Sequence, residues 1–330
     1  MPSVVHIITR LILGGAQENT LLTVEGFNRK PGWDTTLVTG PALGPEGELV
    51  KRALANGVKL IIVDQMRRAI NPRLDYASYR ALKDILRLEK PDIVHTHSSK
   101  AGILGRAAAH AVRVPAVVHT IHGMPFHANE SFLKNLLFVA LEKRAASWTD
   151  AIVTVCDAMT EQAVAAAVAP REKFTTIYSG MEVDAFLDAG KHREKMRERF
   201  GIPPDAPVIG KVARLFDLKG HQYLIEAMPA VLERFPKARV LLVGDGILRD
   251  SLAAQAHRLG VDDSIIFAGL VESHEVPAMV GAMDLLVHCS LREGLARVLP
   301  QGLLAGVPVI SYDVDGAKEV VIPGRTGWLL

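Results

Sequence analysis

The chain has 330 residues, which at roughly 150 residues per domain predicts two domains. Apolar residues make up 49% and charged residues 22%, which excludes gross disorder and gives each half a core to bury. A net charge of +2 gives no whole-chain reason to expect a nucleic-acid partner, and two cysteines, Cys156 and Cys289, exclude a disulfide scaffold. Both are expected to be small core residues with reduced thiols, in a cytoplasmic protein. The opening ten residues lack the basic lead of a signal peptide, and no run reaches about 18 apolar residues, so neither a leader nor a membrane span is expected.

In chain order, short Val- and Ile-rich runs at residues 4–8, 34–38, 59–63, 93–95, 116–119, 151–155 and 174–178 predict strands. Periodic stretches at 18–28, 46–56, 75–89, 101–112 and 131–147 predict the helices between them. Strands apolar throughout, alternating with helices, indicate a parallel sheet covered on both faces. Residues 191–199 then read as a charged, exposed helix, and Gly201-Ile202-Pro203-Pro204-Asp205-Ala206-Pro207 as a stiff connector. A second unit follows, with strands at 208–212, 238–243, 264–267, 285–288 and 307–312 and helices at 221–234, 249–259, 274–282 and 299–305. The boundary is expected near residues 185–207. Lys51-Arg52 and Arg67-Arg68 read as solvated or acceptor-side charges.

The two units open alike. Residues 4–8 run into Leu13-Gly14-Gly15-Ala16-Gln17 and a helix; residues 208–212 run into the Arg214 to Gly220 loop and a helix. Gly14 and Gly15 allow close backbone approach to a ligand, and the helix start offers free N–H groups to a phosphate. The third glycine of a dinucleotide fingerprint is missing, as is the Gly-Lys-Ser/Thr of a P-loop, so a tight turn is the competing reading. Arg214 and Lys219 suit a diphosphate, the first as a fork and the second as a point charge, or are two surface cations. Val243-Gly244-Asp245-Gly246 is a glycine-flanked turn. His288-Cys289-Ser290-Leu291-Arg292-Glu293-Gly294 ends a strand in polar groups, and Pro300 fits the first turn of the helix that carries Gln301.

His95, His97, His119 and His122 all lie at strand ends and could face one cleft as a metal cluster. They have no carboxylate or cysteine among them, and no bound metal is expected. Asp313-Val314-Asp315 reads as a strand-end turn. The apolar stretch Ser131-Phe132-Leu133-Lys134-Asn135-Leu136-Leu137-Phe138, with Lys143-Arg144 beyond it, reads as a helix packed on the sheet or one touching a membrane surface.

Together these elements resemble the retaining glycosyltransferases of the GT-B fold, in the large nucleotide-sugar-dependent family four. The resemblance spans essentially the whole chain. It rests on Gly14-Gly15-Ala16-Gln17, Asp92-Ile93-Val94-His95-Thr96-His97-Ser98-Ser99-Lys100-Ala101-Gly102, His119-Thr120-Ile121-His122-Gly123 and Ser179-Gly180-Met181-Glu182-Val183-Asp184-Ala185-Phe186. It continues through Val212-Ala213-Arg214-Leu215 to Lys219-Gly220, Val243-Gly244-Asp245-Gly246, Arg292-Glu293-Gly294-Leu295 and Asp315-Gly316-Ala317-Lys318-Glu319-Val320.

The resemblance implies an α/β chain of two Rossmann-like parallel-sheet domains facing a cleft. Residues 1–190 would be the acceptor-side domain, 191–207 the connector, and 208–330 an incomplete nucleotide-sugar-binding domain. It implies that Arg214 and Lys219 hold the donor diphosphate and that the Gly14-Gly15 loop closes onto it. Gly244, Gly246, Gly294 and Leu295 would lie on the donor. Glu293, as the first acid of a Glu-seven-residues-Glu motif, would contact the transferred sugar, with His122 near that sugar and the attacking hydroxyl.

Gln301 stands where the second acid, which usually binds ribose, is expected. Its neutral amide can still hydrogen-bond hydroxyls, so altered donor affinity is expected, not lost chemistry. The implied partners are a nucleotide sugar and a glycan or lipid-linked acceptor, with no cofactor, no nucleic acid, and peripheral contact at the inner face of the membrane. A GT-B-like 2-epimerase and a non-catalytic nucleotide-sugar binder are the alternatives. Relatives usually continue beyond Gly327-Trp328-Leu329-Leu330, so a truncated chain, or one completed by a partner, is expected.

Overall fold

The computed structural model describes residues 1–43, 47–128 and 130–330. They form two compact units that divide between Met181 and Glu182. The first contains strands β1 (Ser3–Arg10), β2 (Asp34–Gly40), β3 (Lys59–Ile62), β4 (Ile93–His97), β5 (Ala116–Ile121), β6 (Ala151–Thr154) and β7 (Phe174–Thr176). All pair in parallel, in the order β3-β2-β1-β4-β5-β6-β7. The crossovers carry helices α1 (Gly15–Arg29), α2 (Val50–Ala55), α3 (Pro72–Glu89), α4 (Ser99–Val112), α5 (Phe132–Ala146) and α6 (Asp157–Ala165). Residue 46, the expected start of the second helix, lies outside the described residues.

Local chemistry explains several of these bounds. Asn71 caps α3 by accepting from the Arg73 and Leu74 amides, Pro72 supplies the first helical φ, and the Asp75 carboxylate accepts from the Asn71 amide in return. Strand β1 is buried on both faces because helices cover both. One face meets α3 and α4 through Val5, Ile7, Val94, Leu82 and Ala108, the other meets α1 through Ile8, Leu21 and Val24. Gly105 lets α4 lie close to the sheet, because a Cβ there would stand 2.7 Å from Thr96 Cγ2. Arg52 is not simply solvated: its guanidinium binds both carboxylate oxygens of Glu25 at 3.1 and 3.0 Å, tying α2 to α1.

The second unit opens with helices α7 (Asp184–Leu187) and α8 (Arg193–Arg199). Its strands are β8 (Val208–Val212), β9 (Arg239–Val243), β10 (Ile265–Gly269), β11 (Leu285–His288), β12 (Val309–Ser311) and β13 (Gly327–Leu329), in the order β10-β9-β8-β11-β12-β13, again all parallel. Helices α9 (His221–Arg234), α10 (Arg249–Arg258), α11 (Val276–Gly281) and α12 (Val298–Leu304) connect them. Strand β13, unexpected from sequence, pairs with β12 from Val309–Gly327 to Ser311–Leu329.

The boundary and the connector differ from expectation. Residues 182–207 belong to the second unit, and α8 is docked with one face buried. The cause is Arg197, whose side chain is 5% exposed. It donates to the carbonyls of Ala282, Pro204 and Ala206 and pairs with Asp284 at 2.7 Å. Asp284 also takes Arg193 and accepts from the Val208 amide at 2.7 Å. Phe186, Met196, Ile202 and Ala206 complete the docking by joining the core around Val208 and Leu286. A charged helix reads as exposed in sequence because its carboxylate partner lies 87 residues away.

Candidate active site

In an open parallel sheet, ligands collect outside the C-terminal strand ends where the strand order reverses. In the second unit that point lies between β8 and β11. Their ladder covers only Ile209–Leu285 and Gly210–Leu286, two residues short of either strand end. The loops that leave these ends carry Arg214, Lys219 and Glu293. Lys219 Nζ lies 2.6 Å from Glu293 Oε1, and His288 Nε2 lies 3.2 Å from the same oxygen. Burial alone would raise the Glu293 pKa, since its side chain is only 16% exposed. The Lys219 charge, with the His288 contact, instead holds it well below the usual carboxylate range. Arg214 lies over the Phe216 ring, 5.1 Å from its centre.

Backbone contacts fix these loops. The Glu293 amide donates to Asp315 Oδ2 at 2.7 Å, and Gly316 donates to the Gly294 carbonyl. Leu291 donates to the Leu218 carbonyl, joining the two loops. Gly220 takes φ +72°, and a Cβ there would stand 1.8 Å from the Cys289 carbonyl oxygen, so only glycine fits. Gly244, at φ +131°, packs on the Ala213 carbonyl in the same way, and Leu215 donates to the Asp245 carbonyl. The sequence-selected Arg214, Lys219, Gly244, Gly246, Glu293 and Gly294 thus share the C-terminal edge of one sheet. Leu295 is buried beside them, and Gln301 is half-buried on α12.

Sequence reasoning missed the floor of this region. Lys211 is fully buried on β8, with Nζ 3.5 Å from Cys289 Sγ. Burial lowers its pKa, which the Cys289 and Glu293 groups oppose. His221, at the start of α9, is buried, and burial with the Lys211 charge takes its pKa to about 3. The available signal was a lysine in the middle of an otherwise apolar strand, Val208-Ile209-Gly210-Lys211-Val212.

In the first unit the strand order reverses between β1 and β4. Gly14 precedes α1 in extended conformation, its carbonyl accepting from Glu18, and Gly15 starts the helix. His122 follows β5 and lines a cavity of about 200 Å³ with Ala16, Ser98, Ser99, His119 and Glu142. Glu142 is held by a buried ion pair to Arg106, Nη2 to Oε2 2.7 Å, across α4 and α5.

The four histidines do not lie on one face of the sheet, although His119 and His122 both line that cavity. Register places Thr96 opposite His119 and His97 opposite Thr120, so His119 lies on the α4 side of the sheet, where its Nδ1 meets Thr96 Oγ1 at 2.9 Å. His95, His97 and His122 share the other side with His6, which sequence reasoning did not select. His6 Nδ1 lies 3.1 Å from His97 Nε2, and His97 Nδ1 lies 3.1 Å from His122 Nε2. His95 Nε2 lies 2.7 Å from Thr120 Oγ1. The buried rings are all held below the ordinary pKa of 6.5 by burial, His95 at about 4.

Two doubly wound parallel sheets, each with polar loops at its reversal point, define a GT-B chain. Anabaena HepE in complex with UDP-glucose superposes with a TM-score of 0.83 at 21% identity, covering 100% of this chain and 85% of that one. The pattern of the glycosyl transferase 4-like domain matches residues 14–180, and that of the glycosyl transferases group 1 matches residues 192–330. The chain belongs to the group 1 glycosyltransferases. A similar protein is the Escherichia coli UDP-Gal:alpha-D-GlcNAc-diphosphoundecaprenol alpha-1,3-galactosyltransferase, 29% identical over 84% of this chain and 72% of that one. Another is the Mycolicibacterium smegmatis GDP-mannose-dependent phosphatidylinositol monomannoside mannosyltransferase, 32% identical over 53% of this chain and 48% of that one. Among the described residues, no helix is long and apolar enough to cross a membrane.

Proposed function

We propose that the protein transfers a sugar from a nucleoside-diphosphate donor to a hydroxyl of a glycan or lipid-linked acceptor, with retention and without a metal ion. The observation that carries this reading is the Lys219–Glu293 pair at 2.6 Å, at the strand reversal beside Arg214. Breaking the sugar–phosphate bond puts negative charge on the leaving diphosphate. Two cations there stabilise it in the role a divalent ion fills elsewhere. Glu293, kept ionised, takes hydroxyls of the transferred sugar and supports its developing positive charge. Gln301 offers its amide to the ribose. In the first unit, Gly14 and Gly15 offer the backbone at the start of α1, and His122 offers its ring, to substrate. With no carboxylate assigned as nucleophile, the acceptor attacks from the face the diphosphate leaves, and a phosphate oxygen takes its proton.

The relatives support the acceptor class, since two of them act on lipid-linked substrates by name. Helix α5 fits that assignment. Phe132 and Leu133 are 78% and 75% exposed, Leu136 and Leu137 are exposed beside them, and Lys134, Lys143 and Arg144 supply positive charge. Such a face suits an anionic membrane surface, which supports the reading of peripheral contact at the inner face of the membrane. The donor names differ between relatives, UDP in one and GDP in another. Thermal shift against uridine, guanosine and adenosine diphosphates and their sugars selects the base, and transfer is then assayed with that donor. Arg214→Ala and Lys219→Ala are each expected to abolish transfer with the fold intact. Wild-type rates in both variants would sink the proposal, as would conversion of the donor to an epimer with no acceptor present.

A further inference from the structure

The imidazoles on the α1 side of the first sheet form a file with a direction. Each link joins Nδ1 of one ring to Nε2 of the next, from His6 through His97 to His122. Burial, with repulsion from His95, keeps His6 and His97 neutral, so each carries a single N–H. Only two arrangements put one proton in each link: every ring protonated at Nδ1, or every ring at Nε2. Any mixture leaves one link with two protons or with none.

The far end of the file decides between them. Among the described residues His6 Nε2 is buried and has no hydrogen-bond partner, and the nearest ring beyond the histidines is Phe27. With protons on Nε2, His6 would bury an N–H with no acceptor; with protons on Nδ1, that atom carries only a lone pair. An orphaned buried donor is the rarer and costlier of the two. The file therefore runs outward: His6 donates to His97, and His97 donates to His122 Nε2. His95 packs alongside, its ring centre 4.2 Å from that of His97 and 5.0 Å from that of His6, with its own Nε2 turned to Thr120.

We propose that His6 and His97 are positioning residues that hold His122 in the Nδ1–H tautomer, so that His122 meets substrate as a hydrogen-bond donor and not as a base. The word substrate rests on the proposed transfer reaction. The tautomer is a property of the free protein, so its test stands or falls separately. A donor at His122 agrees with a reaction in which a phosphate oxygen takes the acceptor proton.

The test is two-bond proton–nitrogen NMR on the intact chain labelled with ¹⁵N-histidine, with the His122 signals assigned by their loss in His122→Gln. Wild type is expected to show His122 protonated at Nδ1. His97→Leu removes the donor and is expected to move His122 to the Nε2–H form, while His97→Asn, whose amide can donate from the same place, keeps it at Nδ1. In steady-state transfer, His97→Leu is expected to lower kcat on the order of tenfold with donor KM unchanged, and His97→Asn to restore it, less than the loss of a direct donor. His122 protonated at Nε2 in wild type, or unchanged in His97→Leu, would overturn the proposal. So would a stoichiometric metal in the purified protein with the His6, His95 and His97 nitrogens bound to it. Should His97→Leu fail to fold, the wild-type spectrum alone decides.

Discussion

Lys219 Nζ and Glu293 Oε1 stand 2.6 Å apart although 74 residues separate them in the chain. The pair joins the loop after β8 to the loop after β11, so each side chain fixes the other in place. One group is suited to a phosphate and the other to sugar hydroxyls. On the proposed reading, replacing one is expected to disturb both ends of a donor, in different proportions.

Glu293→Gln keeps the size and removes the charge. Transfer is expected to fall on the order of 10²-fold, with nucleoside diphosphate affinity changed by less than about threefold. Lys219→Ala is expected to weaken nucleoside diphosphate binding about tenfold, as loss of a charge-assisted contact would. Calorimetry with the diphosphate and initial rates with the sugar donor separate the two. Equal loss of affinity in both variants would contradict the assignment.

Gly220→Ala is expected to be among the most destabilising single changes in the second unit. It combines a left-handed backbone with a Cβ 1.8 Å from the Cys289 carbonyl oxygen. The φ strain alone is about 1–3 kcal/mol, and displacing the neighbouring backbone adds to it. Urea midpoints check this; a stability within about 0.5 kcal/mol of wild type would show the loop to be more adaptable than described.

Stability is expected to fall in mild acid. Burial lowers the pKa of His6, His95, His97 and His119 from 6.5, to about 4 for His95. The unfolded chain takes up protons below pH 6.5 that the native state refuses. The stabilisation is thus complete above 6.5 and is lost as pH falls towards the native values. Each such histidine contributes about 1.4 kcal/mol per pH unit across that window. Denaturant midpoints at pH 7.5, 6.0 and 5.0 should drop steadily, and a flat profile would contradict the burial of these rings.

Leu133→Glu and Leu137→Glu on α5 are expected to reduce co-sedimentation with vesicles containing anionic lipid, with circular dichroism unchanged. Both positions are exposed, so the fold does not depend on them. Loss of binding in high salt should accompany the effect. Unaltered sedimentation in both variants would remove α5 from the membrane surface.

Much of the fold was legible because its signals are local. The bounds of β8, α9 and β11 follow directly from runs of Val, Ile and Leu and from the helix pattern after Gly220. The loop residues Arg214, Lys219 and Glu293 were visible because polar groups interrupt those runs at strand ends. What stayed hidden depends on partners distant in sequence. Arg197 looks solvated until Asp284 is placed beside it, and Lys211, in the middle of an apolar strand, shows no partner until Cys289 is placed beside it. His119 looks like a companion of His97 until the β4–β5 register sends them to opposite faces. A shift of one residue in that register would reverse the outcome, and nothing in a single sequence fixes it.

The Arg197–Asp284 clamp also governs how the second unit can be cut out for separate expression. A fragment begun at Val208, where the strand pattern invites the cut, would leave Asp284 without Arg193 or Arg197 and strip Phe186, Met196 and Ile202 from the face they cover. Bare apolar surface and an unpaired carboxylate favour aggregation over folding. A fragment begun at Glu182 keeps Arg193, Arg197 and the apolar cover in place, and is the piece from which a folded second unit should be recovered.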